Sequence, residues 1–178
     1  MRSFFAIVAF VAIGAASVSN SQEPNQSAAQ ELREYGEFSV GTWTGEGTLG
    51  DDVPGLGEKG EKIVGRAETQ WDLGGTVITC RWSFGAATGT WIATWDPLEK
   101  RIKRYHFSST GSQMVATLSK ENGKWIASVV GSSEGKELKE TDIWVAKDDD
   151  DTIAIDETDI QIGGEDRPDI HHEWKRAE

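Results

Sequence analysis

The chain has 178 residues and a net charge of −12, from 30 acidic and 18 basic side chains. That is the length of one domain, and the sign of the charge disfavours nucleic acid and anionic membrane surfaces as partners. The one cysteine, Cys80, cannot form an intrachain disulfide, so the fold has to be held by its apolar core alone.

Arg2 gives a positive start, residues 4–16 form an apolar run, and small residues follow at 15–17 and 19–21. The run falls short of the about 20 residues that a membrane helix needs. Residues 1–21 therefore read as a secretory signal peptide cleaved between Ala16 and Ser21. The chain is expected to be exported, to the periplasm or the medium, with no membrane span in its mature form. Residues 22–30 are polar and include Pro24, the composition of a flexible leader. The domain itself is expected over 31–178. Good helix formers over 28–38 place Leu32, Tyr35 and Phe38 at helical spacing, with Ser27 before them as N-cap. They predict a short helix lying across one barrel mouth.

From Val40 onward the period changes to two. A first strand over 40–49 puts Trp43, Gly45, Gly47 and Leu49 on one face. Glycine there lets a strand bend or pass close to other side chains. Residues 51–60 are rich in glycine, contain Pro54 and make the longest connection, the natural portal of a barrel. Further strands are predicted over 61–72, 76–84, 90–95, 101–107, 113–119, 125–130, 137–146, 152–162 and 169–176. Gly74-Gly75, residues 85–89, Asp96-Pro97, residues 108–112 and Asn122-Gly123 are their turns. The acidic run 148–151 lacks the glycine and distal glutamate of a calcium loop and reads as a solvated turn. Ten strands joined by hairpins predict an all-β, antiparallel up-and-down barrel with a short N-terminal helix, since closure removes the exposed edges.

Two end motifs suggest how such a barrel closes its floor. Trp43 follows Gly41-Thr42 on the first strand, and Arg176 ends the last. The indole can fill the narrow end and the guanidinium can stack on its face. Above that floor the lumen is expected to be lined by Trp71, Ile78, Cys80, Trp82 and Trp174, with His172 as a polar handle. Cys80, among apolar neighbours on its strand, reads as a buried, inert thiol.

Little in the chain speaks for catalysis. Ser83, Ser108 and Ser109 have no Gly-x-Ser-x-Gly context, no His-x-His or Cys-x-x-Cys spacing occurs, and no catalytic or metal-ligating residue is assigned. Of the three histidines, His172 faces inward by parity with Trp174 and Arg176, and His171 outward. If Tyr105 and Phe107 face inward, His106 faces solvent. Glu140 with Asp142, and Glu157 with Asp159, each share a face by alternation. A solvated outer face explains them; a polar lumen that recognises a cationic or hydroxylated ligand is the alternative.

Five short segments, in this order, resemble a known family. They are Gly41-Thr42-Trp43-Thr44-Gly45-Glu46-Gly47, Trp71-Asp72-Leu73-Gly74-Gly75, Ala93-Thr94-Trp95-Asp96-Pro97, Phe107-Ser108-Ser109-Thr110-Gly111 and Trp174-Lys175-Arg176. The family is DUF1579, exported and cytosolic bacterial proteins named for their lack of an assigned function, and the match covers 32–176. It implies a calycin-like barrel related in shape to lipocalins. Residues 40–47 are also similar to the first strand of nitrobindin-type haem barrels. That likeness implies a haem iron held by a late-strand histidine, His171 or His172 here. The expectation is an exported, lipocalin-like barrel binding a small apolar or amphipathic molecule and needing no cofactor. A haem barrel, or a packed barrel acting through its surface, are the alternatives.

Overall fold

The computed structural model describes residues 30–50, 52, 57–147 and 151–177. The expected signal peptide and leader, the N-cap at Ser27, most of the 51–60 loop and most of the acidic run lie outside these residues. The chain begins with helix α1 (Gln30–Ser39), followed by β1 (Gly41–Thr48), β2 (Lys62–Asp72), β3 (Val77–Phe84), β4 (Ala87–Asp96) and β5 (Arg101–Ser108). It continues with β6 (Gln113–Glu121), β7 (Lys124–Ser133), β8 (Lys136–Ala146), β9 (Thr152–Ile162), the two-residue β10 (Glu165–Asp166) and β11 (Ile170–Arg176). No helix among the described residues is long and apolar enough to cross a membrane.

Every strand from β1 to β8 pairs antiparallel with the next. The circuit closes because β8 pairs with β9, β9 with β11 and β11 with β1. The result is a ten-strand antiparallel barrel; β10 only extends a short ladder on β9. The turn expected over 85–89 contracts to Gly85 and Ala86, so β4 starts earlier than its sequence pattern suggested. Gly85 takes the left-handed conformation (φ 58°) that so tight a reversal needs.

α1 closes one end. Leu32 and Tyr35 are fully buried, and the Tyr35 ring sits 5.1 Å from Trp125 and 6.3 Å from both Trp91 and Trp144. Ile78, Ile102, Leu118 and Ala127 complete this lower core, with Trp71 packed against its side. The end is sealed where β1 meets β11. Trp43 and Arg176 are register partners, and the guanidinium carbon lies 4.3 Å from the indole centroid. Arg176 Nη1 donates to the Val40 carbonyl at 2.7 Å, and Trp43 Nε1 to that of Ser39 at 2.9 Å. Helix end, first strand and last strand are thereby tied together.

One irregularity decides which side chains see the interior. Between the pairs Lys139↔Gln161 and Thr141↔Thr158 the register shifts, so that Asp159 and Ile160 together oppose Glu140. Asp159 adopts φ 54° at this bulge. Before it Ile153, Ile155 and Glu157 point inward; after it Ile160 and Ile162 do.

Candidate functional site

Above the α1 core the barrel holds a cavity of about 660 Å³ that reaches toward the opposite mouth. Cys80, Trp82, His172 and Trp174 line it, as do Phe84, Trp91 and Trp144. Ile78 and Trp71 do not. Ile78 is fully buried in the lower core, and Trp71 lies against α1, where a side chain at Gly36 would collide with its ring. Burial pushes the Cys80 thiol up to about 11, the behaviour of an inert thiol rather than a nucleophile.

Two sequence expectations are overturned. His106 faces the lumen, with its ring edge-on to Trp82 at 5.2 Å, while Tyr105 and Phe107 are 40% and 46% exposed. A strand that carries aromatic residues on one face and Arg104 and His106 on the other does not reveal its inner face by residue type. Here the charged face is the inner one, because Arg104 has a partner across the barrel. Glu140, Asp142 and Glu157 do not form a solvated outer face either; all three line the cavity. Only Asp159 is exposed, because the bulge turns it away from Glu157.

The polar groups form two hydrogen-bonded units. Arg104 on β5 reaches across to Asp142 on β8, Nη2 to Oδ2 at 2.7 Å, and its guanidinium lies 4.6 Å from the Trp144 ring and 5.9 Å from Trp91. On the neighbouring wall Trp174 Nε1 donates to His172 Nδ1 at 2.8 Å, and His172 Nε2 meets Glu157 Oε1 at 3.1 Å. An indole nitrogen can only donate, so His172 Nδ1 accepts and the ring proton toward Glu157 sits on Nε2. Phe84 packs on both rings, 5.5 Å from His172 and 5.6 Å from Trp174.

Several buried atoms of this lining find no hydrogen-bond partner among the described residues: Trp82 Nε1, Trp144 Nε1, Arg104 Nε, His106 Nε2 and Asp142 Oδ1. Burial is the largest influence on the titrating groups. It drives Glu140 well above the ordinary carboxylate value, helped by the fields of Glu157 and Asp142. It raises Asp142 to about 6 in spite of Arg104, and it lowers His106 to about 4. Burial also opposes charge on Glu157, but the His172 hydrogen bond together with the fields of His172, Arg104 and His106 holds that carboxyl below its ordinary value.

The cavity does not offer a histidine to haem iron at the positions suggested by resemblance. Both nitrogens of His172 are engaged, and His171 lies outside, exposed and bonded to Asp156 at 2.6 Å. Among the described residues no group of three His, Cys, Asp or Glu side chains is disposed to hold a metal ion. No family model and no curated protein matches the chain.

Proposed function

We propose that the protein is a binding barrel that takes one small amphipathic molecule into its lumen, after export of a chain whose first 21 residues read as a signal peptide. The observation that carries this reading is the cavity itself. Its volume of about 660 Å³ falls in the range of roughly 300–1,000 Å³ typical of small-molecule sites. A barrel packed solid by its tryptophans would leave no such space. One side of the lining is aromatic, from Trp82, Phe84 and Trp91, and can cover an apolar body. The other side carries the carboxyls, and buried polar atoms without partners among the described residues are spread over the lining. Such atoms weaken a fold unless something bonds them, and a polar head group can.

Native mass spectrometry of the protein purified from its own source tests the reading. The expected result is the chain plus one small molecule, absent from Met114→Trp, in which an indole enlarges a half-buried residue of the lining. A mass of the chain alone, together with no binding of an added apolar fluorophore such as 1-N-phenylnaphthylamine, overturns it.

A further inference from the structure

We infer that the molecule bound in the lumen is an amine, whose ammonium group docks on Glu140. The inference rests on the binding role proposed above and names the chemistry of the ligand.

Three carboxyl side chains occupy neighbouring inward positions of one wall. Glu140 and Asp142 stand two apart on β8, and Glu157 on β9 is the direct cross-strand partner of Asp142. Like charges facing each other across a ladder destabilise a sheet unless each is compensated. Asp142 is compensated by Arg104, and Glu157 by the hydrogen bond from His172. Glu140 makes no hydrogen bond and no ion pair with any described residue. It is half-buried, on the lining of the cavity. The wall therefore presents three acids with a partner for only two, and the third opens onto space large enough for a ligand.

The sign of the missing partner follows from the rest of the lining. Among the described residues the lining carries Asp52, Glu134, Glu140, Asp142 and Glu157 against two guanidiniums, Arg104 and Arg167. Arg104, deep in the lumen, already holds Asp142 and is covered by Trp144. His106, which also faces the lumen from β5, is kept neutral near pH 7 by burial. An anionic ligand would meet the charges of Asp142 and Glu157, and the guanidinium beside them, Arg104, is already engaged by Asp142. A cation meets Glu140, and elsewhere on the same lining the rings of Trp82, Trp91 and Trp174, which can attract positive charge as well as apolar surface. Among the described residues no three His, Cys, Asp or Glu side chains are disposed to hold a metal ion, and the space beside Glu140 suits an organic cation.

The groups facing Glu140 set the proton balance. Asp142 on its own strand and Glu157 on β9 disfavour its charge, Arg104 on β5 favours it, and His106 and His172 complete the polar surroundings. Without a ligand, burial and the two neighbouring carboxyls favour the protonated form of Glu140. When an ammonium arrives, Glu140 gives that proton to solvent and the pair R–NH3⁺···⁻OOC forms. Binding is then coupled to release of up to one proton.

The test compares three probes with one body: 2-(1-naphthyl)ethylamine, 2-(1-naphthyl)ethanol and 1-naphthaleneacetate, by titration calorimetry near neutral pH in phosphate and in Tris. The expected result is an amine that binds at least about tenfold tighter than the alcohol, the weight of one charge-assisted hydrogen bond. The acetate should bind weakest. The amine's heat should differ between buffers in proportion to the proton released. In Glu140→Gln, shown to be folded by near-ultraviolet circular dichroism, the amine-to-alcohol ratio falls to about one and the buffer dependence vanishes. Equal affinity for amine and alcohol in the wild type, or a preference that survives Glu140→Gln, overturns the amine assignment while leaving a binding barrel. Failure of all three probes, joined with the bare mass described above, defeats the binding role itself.

Discussion

Arg104 and Asp142 bridge the barrel from β5 to β8 through a 2.7 Å ion pair with both side chains less than a tenth exposed. Four strands lie in this arc, so the pair fixes the distance between two walls that no backbone ladder joins. Asp142 is raised to about 6, which shows that burial outweighs the guanidinium's attraction. The pair is therefore a constraint on shape more than a source of stability.

Removing one partner leaves the other charge buried and alone. Arg104→Met or Asp142→Leu alone should cost about 3–5 kcal/mol in urea unfolding. The double variant Arg104→Met/Asp142→Leu should come within about 1 kcal/mol of the wild type, or exceed it. A carboxyl whose folded value is raised contributes stability fully below its ordinary value of 3.8 and loses it as pH rises through about 6. The double variant should thus gain on the wild type as pH rises from 3.8 to about 6, and keep that gain unchanged above it. Additive single effects, or a double variant as unstable as the singles, would show that the pair is a net stabiliser.

At the end closed by α1 the Trp43–Arg176 contact should behave as a packed floor. Trp43 is only 4% exposed, and Trp43→Ala should cost about 3–5 kcal/mol. The Arg176 side chain is one-third exposed, and Arg176→Ala should cost about 1–2 kcal/mol through lost stem packing and the cation–π contact. The residues touch, so the double variant should cost less than the sum. A Trp43→Ala effect below about 1 kcal/mol, or strict additivity, would refute the floor.

What was legible in the chain followed from short-range rules. Period-two patterning and glycine turns are local, and they sufficed for ten strands and an up-and-down closure. Parity along 170–176 put His172 on the side of Trp174, where it lies. The inner wall of β5 was not legible, because nothing near Arg104 in sequence announces Asp142, thirty-eight residues away. Alternation also failed between Glu157 and Asp159, where one extra residue in β9 reverses the faces. A left-handed aspartate in a strand leaves no pattern that residue types reveal. Trp71 and Ile78 belong to the right face but sit too near α1 to reach the cavity. How deep a helix plugs a barrel is a property of the packed whole.

His106 should make the fold sensitive to acid. Its folded value near 4 lies below the ordinary 6.5, so its contribution is present above pH 6.5 and is lost as pH falls toward 4. His106→Leu removes that contribution. Stability of the wild type relative to the variant should fall with decreasing pH across this window, by up to about 1.4 kcal/mol per unit. Asp142 and Glu140 push the absolute curve the other way, but both proteins carry them, so the difference isolates the imidazole. Parallel stability curves from pH 7 to pH 4 would mean that His106 takes its proton without strain.

The last expectation concerns Gly45, whose neighbour on β11 is Trp174. A Cβ at Gly45 would stand 2.6 Å from Trp174 Cδ2 and 2.7 Å from Cε2, inside contact distance for carbon. The indole lies flat on the bare backbone, and that placement aims Nε1 at His172 Nδ1. Gly45→Ala must push the ring inward. It should destabilise the fold by about 1–3 kcal/mol, the usual cost of one carbon too many in a packed site. Beyond that, it should break the Trp174–His172 hydrogen bond, free the imidazole to turn, and loosen its hold on Glu157. Nuclear magnetic resonance reads this directly. The Trp174 indole N–H, protected from exchange in the wild type, should shift and exchange faster in the variant. A Gly45→Ala protein with unchanged stability and an unmoved Trp174 resonance would show that the glycine is not what seats the indole.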